Sequence, residues 1–164
     1  MWGVILKSGL ERDLIENRLL TPEEIQDTKT SAEENTSTFM FALIQSGKVS
    51  EEKLQDLLAS RYKVKKIDLD RFQIPEEVVK YVPPQLCRKH KVMPITKKGR
   101  KLIVAFSDPG NFYALDDVSM IAQMQIERIV ATESSIERAI KKYYVPRGGD
   151  INNMMEAMAE GEAE

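Results

Sequence analysis

Cys87 and His90 lie close together in one amphipathic stretch and are the chain's single thiol and single imidazole. A ring that can take a thiol's proton is the beginning of a nucleophilic pair. No third group is marked by spacing to orient the ring, so a packed or solvent-facing imidazole is expected rather than a Cys–His hydrolase. One cysteine permits no internal disulfide, and with one histidine it leaves a zinc site short of ligands. Phosphoryl transfer lacks its apparatus as well, because no G-x-x-x-x-G-K-[ST] loop occurs to cradle the phosphates of ATP. Two basic runs, Arg88-Lys89-His90-Lys91 and Lys97-Lys98 with Arg100-Lys101, would form a local patch if they converged across a hairpin. No aromatic residues are interleaved to stack bases, so a solvated face is expected and nucleic acid is not. No catalytic residue and no metal ligand is assigned, and the chain is not expected to be an enzyme.

The bounds agree with that. With 164 residues, 42% hydrophobic and 30% charged, the composition is that of a soluble globular protein of one ordinary domain or two small ones. A formal charge of −2 gives no global attraction to nucleic acid or anionic lipid. Met1 to Lys7 holds a brief apolar run without the basic and hydrophobic regions of a secretory leader, and no stretch approaches a membrane-spanning length. A reducing, cytoplasmic setting is expected.

The elements that would position any site fall into an α+β pattern. Leu102 to Phe106 is a short apolar run between a Lys-Lys-Gly-Arg turn and an Asp-Pro stop, and reads as a buried strand. Val92 to Thr96 is a second strand, joined to it by a hairpin at Lys97 to Arg100; Pro94 cannot donate to a ladder and places this strand at an edge. Leu115, Val118 and Ala122 recur at helical spacing after Asp108-Pro109-Gly110, Gln125 to Val130 gives a third strand, and Thr132 caps a last helix bearing Ile136, Ile140 and Tyr143. The result is a small two-layer α/β module of order β-β-α-β-α over residues 92–144.

Residues 1–62 read as a helical subdomain with an internal repeat. Leu14-Ile15 with Thr21-Pro22-Glu23-Glu24-Ile25 lines up, at one constant offset, with Leu43-Ile44 and Ser50-Glu51-Glu52-Lys53-Leu54, so two helix-turn-helix units follow one another. Thr21 and Ser50 are N-caps, and Thr21 with Glu24 has capping-box spacing. Gly47 suits the left-handed residue that ends a helix; Arg18, at the equivalent place, predicts strain or a different turn. Residues 63–91 are a connecting segment. Within it Lys63 to Asp70 alternates charge and apolar residues like an exposed linking strand, and short helices enter and leave through Pro75, Pro83 and Pro84. Residues 145–164 are small, acidic and methionine-rich, and read as a flexible tail or linker with a transient helix around Met154 to Met158.

The module resembles the N-terminal domain of the type II secretion and type IV pilus assembly ATPases. The likeness runs through Val92-Met93-Pro94-Ile95, Leu102-Ile103-Val104-Ala105, Asp108-Pro109, Ala114-Leu115-Asp116-Asp117-Val118, Ile126-Glu127, Val130-Ala131, Ile136, Ala139-Ile140 and Tyr143-Tyr144, and upstream through Pro84, Leu86 and Arg88-Lys89. Most of these fill a core or break the chain, and Asp116-Asp117 put charge in an early helical turn, where the macrodipole favours it. The resemblance implies a fold and a docking or regulatory role without catalysis. The partners it implies are an inner-membrane assembly-platform protein or an associated actin-like scaffold, and an ATPase core if the chain is part of a longer one. Location would be cytoplasmic, with membrane association only through a partner.

The helical repeat is similar to the cyclic di-GMP-binding half of the same family's N-terminal region. There each copy opens on Arg-Leu-Gly and closes on Gln. Here the opening falls on Gly9-Leu10-Glu11 and Thr38-Phe39-Met40, and the closing residue on Ala32 and Arg61. The resemblance makes Leu14, Ile15, Leu43, Ile44, Gly47 and Arg61 the positions that would line a ligand groove, and cyclic di-GMP the one ligand. Without the arginine charge and the glycine's close approach a dianion finds few partners, so plain docking ranks ahead of ligand sensing.

Overall fold

Leu102 to Phe106 have almost no exposed surface in the folded chain, which requires cover on both faces and a paired neighbour on both edges. The computed structural model, which describes residues 9–144, supplies these. Strand β2 (Lys101–Phe106) is the middle of a three-stranded sheet, antiparallel to β1 (Val92–Lys98) and parallel to β3 (Gln125–Val130). Pro94 lies on the edge strand, and the register slips between Pro94 and Thr96. A residue without an N–H is tolerated at such a bulge. Gly99, at φ +60, opens the two-residue turn, the place where a type II′ hairpin takes glycine.

Around the sheet lie eight helices among the described residues: α1 (Gly9–Glu16), α2 (Pro22–Glu34), α3 (Phe39–Gln45), α4 (Glu51–Tyr62), α5 (Glu76–Val79), α6 (Pro84–His90), α7 (Phe112–Ala122) and α8 (Glu133–Tyr143). Helix α8 packs on β1 and β2, α6 on α8, and α7 on β3. Ile136, Ala139 and Ile140 come from α8 and Ala114, Val118 and Ala122 from α7, so each helix gives the core an apolar stripe. A second cluster holds Leu14, Ile25, Leu43, Leu54, Leu57 and Leu58 from the first four helices and Leu20 and Val49 from the turns between them, with Val130 of β3 among them. The architecture is α+β: two helix-turn-helix repeats and a two-layer β-β-α-β-α module.

Two expectations are corrected. Lys63 to Asp70 is not an exposed linking strand. Lys63 ends α4 in the left-handed region at φ +54, Lys66 makes a single parallel bridge to Val130, and the Asp68 carboxylate accepts from the Asp70 N–H to start a one-turn 3-10 helix at Leu69–Arg71 that buries Leu69. Asp116 and Asp117 stand in the second turn of α7, early in the helix but not where the macrodipole favours charge. Asn111 Oδ1 accepts from the Ala114 N–H and starts the helix at Phe112, which carries both aspartates past the macrodipole's reach. The readings made for Met1 to Lys7 and for 145–164 lie outside the described residues.

Candidate functional site

The repeat is set by its caps. Thr21 accepts from the Glu24 N–H and Glu24 answers by accepting from the Thr21 N–H, with Pro22 at the first helical position; Thr38 and Ser50 cap α3 and α4 by accepting from the Phe41 and Lys53 N–H, with no return bond. Helix α1 closes in a Schellman turn: Leu19 N–H reaches the Leu14 carbonyl and Arg18 N–H the Ile15 carbonyl, each at 3.0 Å. Arg18 occupies the left-handed position at φ +57, and Gly47 holds the equivalent one at φ +75.

This frame sorts the residues expected to line a groove. Leu14 and Leu43 are 0% exposed and belong wholly to the helical core, while Ile15 and Ile44 pack against it half-buried. Gly47 borders open space at the α3–α4 turn. Arg61 crosses from α4 to α1: its guanidinium pairs with Asp13 at 3.3 Å and lies so close to Gly9 that a Cβ there would stand 1.6 Å from the Arg61 Cζ. Arg61 is thus brought together with the first opening position of the repeat, and Gly47 is not.

Glu11 stands where the resembled motif has glycine. Its side chain is buried, and Oε1 meets Lys29 Nζ at 2.6 Å. The matching residues of the second copy are Met40 and Leu58, an apolar pair, so the copies fill one structural place with opposite chemistries. Beside Met40, Ile44 and Leu58, toward Ser107 and Ala131, the cavity measures about 10 Å³. That is room for one water at most, where ligand sites of drug-sized molecules run to hundreds of Å³.

The seam between the repeat and the sheet sets polar bonds around the apolar contact made by Val130. Glu51, in the first turn of α4, accepts from the Ser134 N–H at 3.1 Å and its hydroxyl at 2.6 Å, capping α8 from a distance. Gln55 Nε2 donates to both the Ile67 and Val130 carbonyls. The Tyr62 hydroxyl presses on Gly110, where a Cβ would come within 2.1 Å. Glu51 and Gln55 escaped sequence reasoning because their partners lie far along the chain.

The groups with chemical potential are occupied structurally. Cys87 is fully buried; its thiol lies 3.3 Å from the Tyr144 hydroxyl, which donates to the Val82 and Val79 carbonyls. Burial pushes the Cys87 thiol up to about 11 and the Tyr144 phenol upward as well. A protonated thiol without a base is no nucleophile. His90 turns instead to Asp117, at 2.8 Å. The two basic runs do not converge, for they flank opposite ends of β1, and Lys91 is paired with Glu137. Among the described residues no three His, Cys, Asp or Glu side chains gather as metal ligands, and no helix is long and apolar enough to cross a membrane.

Residues 59–150 match the MshEN domain family, a span that begins at the end of α4 and covers the sheet module. The chain is 32% identical over 142 residues to the type IV pilus assembly ATPase PilB of Myxococcus xanthus (strain DK1622), covering 87% of this chain and 25% of PilB. It spans about a quarter of the length of the curated relatives it matches. In fold it is similar to MshE, solved with cdg (TM-score 0.70, 22% identity, 84% of this chain and 100% of that one). It is likewise similar to the N-terminal domain of XpsE (TM-score 0.70, 21% identity, 83% and 94%).

Proposed function

We propose, because the chain belongs to the MshEN domain family, that it works as a non-catalytic docking and regulatory domain of a type II secretion or type IV pilus assembly ATPase. Its partner on this reading is the cytoplasmic face of an inner-membrane assembly platform, or an actin-like scaffold attached to it. The division into residues 1–62, 63–91, 92–144 and 145–164 belongs to the same proposal; the two core clusters support only the separation of the helical part from the sheet module, whose core also takes in Leu69 to Cys87. The observation that carries the reading is that the repeat's ligand positions are taken by the protein's own charges: Glu11 by Lys29, and Gly9 by the Arg61 guanidinium paired to Asp13.

A second reading, a cyclic di-GMP receptor that controls assembly, is favoured by the likeness to MshE, which was solved with cdg. In that reading Ile15, Ile44, Gly47 and Arg61 face the ligand and Leu14 and Leu43 stiffen the helices behind them. Calorimetric titration of the full chain decides between the two. Cyclic di-GMP should bind no tighter than tens of micromolar, about 6 kcal/mol, and the platform's cytoplasmic domain should bind with or without it. A submicromolar constant for cyclic di-GMP would overturn the docking reading. Restoring the motif in the second copy with Thr38→Arg, Met40→Gly and Arg61→Gln should raise the nucleotide's affinity.

A further inference from the structure

Four of the five large apolar side chains exposed among the described residues stand on one helix. They are Phe112 at 57%, Tyr113 at 84%, Met120 at 75% and Ile121 at 53% exposure, all on α7. The opposite side of α7 already gives Ala114, Val118 and Ala122 to the core. A helix that is apolar on both sides calls for cover on both sides. Asp116 and Asp117 lie between the two exposed pairs, one helical turn from each and on the same face. Asp117 holds His90 and keeps 45% of its side chain exposed. Asp116 is exposed, with no hydrogen-bond or ion-pair partner among the described residues. Arg128, a cation beside this face, lies over the Phe112 ring, 5.5 Å away, and donates to the Pro109 carbonyl.

The charge selects the cover. An anionic lipid surface would meet carboxylates at the centre of the face. A second copy related by a two-fold axis through α7 would set both pairs of carboxylates against each other. A cation between two apolar anchors satisfies every group. We propose that the outer face of α7 is the docking surface for a basic amphipathic helix of a protein partner. The exposed pairs stand about 12 Å apart along α7, so a helix lying on it carries anchors about seven or eight positions apart with Lys or Arg midway, as apolar-x-x-[KR]-x-x-x-apolar. This rests on the docking reading above and names its surface and its partner's chemistry.

The test uses the full chain, isotope-labelled for NMR, and a short Ala/Gln-rich helical peptide bearing two leucines about seven positions apart with arginines between them. Amide shifts should centre on Phe112 to Ile121. Asp116→Lys should weaken the peptide about tenfold with no change in melting temperature, and a peptide with glutamates for arginines should then bind the variant better than the native chain. Absence of binding, shifts centred elsewhere, indifference to Asp116→Lys, or self-association of the chain through α7 in sedimentation would each overturn the proposal. If the platform domain binds equally well after Asp116→Lys and Met120→Gln, the docking reading stands and this surface falls. If the peptide binds at α7 and the platform domain does not bind at all, the reverse holds.

Discussion

Exchanging Arg18 and Gly47 isolates the energetics of ending a helix. Both residues hold the left-handed position after the first helix of a repeat, at φ +57 and φ +75, and both donate their N–H to the carbonyl three residues back. An L-residue pays about 1–2 kcal/mol there, whereas glycine loses about 0.5–1 kcal/mol more chain entropy on folding. The difference gives Arg18→Gly a stabilisation of about 0.5–1 kcal/mol and Gly47→Arg a destabilisation of similar size. Space does not intrude, because nothing lies within 4 Å of a Cβ built on Gly47, and Arg18 is exposed. Urea denaturation should show midpoints shifted in opposite directions at unchanged slope, and the double exchange should return near the native midpoint. If both single variants move the midpoint the same way, the backbone argument is refuted and the side chains must be making contacts that decide the turn.

Val104→Asp should abolish near-UV dichroism of the sheet module, since Val104 is 0% exposed and an unpaired charge there costs several kcal/mol; native melting would contradict the central strand. Asp108 is held above the usual carboxylate range by burial, only partly offset by the Gly110 N–H. Its raised folded pKa means that the native chain is penalised above that pKa and relieved as pH falls through it. Asp108→Asn, which keeps an acceptor for Gly110, should therefore be the more stable form at neutral pH, with the gap closing on acidification in pH-resolved melts. Cys87, its thiol pushed up to about 11 and fully buried, should resist iodoacetamide at pH 8 in the native chain and react on unfolding, as read by mass spectrometry.

What the sequence revealed and what it hid divide along sequence distance. The hairpin, the buried run at Leu102 to Phe106, the Thr21, Ser50 and Thr132 caps and the edge placement of Pro94 all follow from neighbours within a few residues, where local stereochemistry decides. Arg18 shows the limit of that logic. Its type left strain or a different turn open, and the buried Leu14 and Leu20 on either side fix the chain's path so that the backbone accepts the strain. Asp117 read as a charge placed for the macrodipole and is instead the partner of His90, a pairing that needed α6 and α7 to be placed first. Among the site residues, the apolar frame was legible as a repeat. The occupation of its polar positions was not, because Glu11 and Lys29, like Arg61 and Asp13, meet only through tertiary packing.

The seam between repeat and sheet has a mechanical meaning. Its backbone content is one isolated bridge, Ile67 to Val130 and Val130 to Lys65, whereas β2 is laddered along its whole length on both sides. A tension drawn between the first helices and the sheet therefore falls on that bridge, the Gln55 amide, the Glu51 carboxylate and the packing of Val130 into the helical core. These groups should part before any strand does. In a single-molecule stretch the repeat would peel away as an intact body at low force, leaving the sheet to resist alone. Gln55 works as one shear pin among these few groups: its amide shares the load at which the two parts of the molecule come apart.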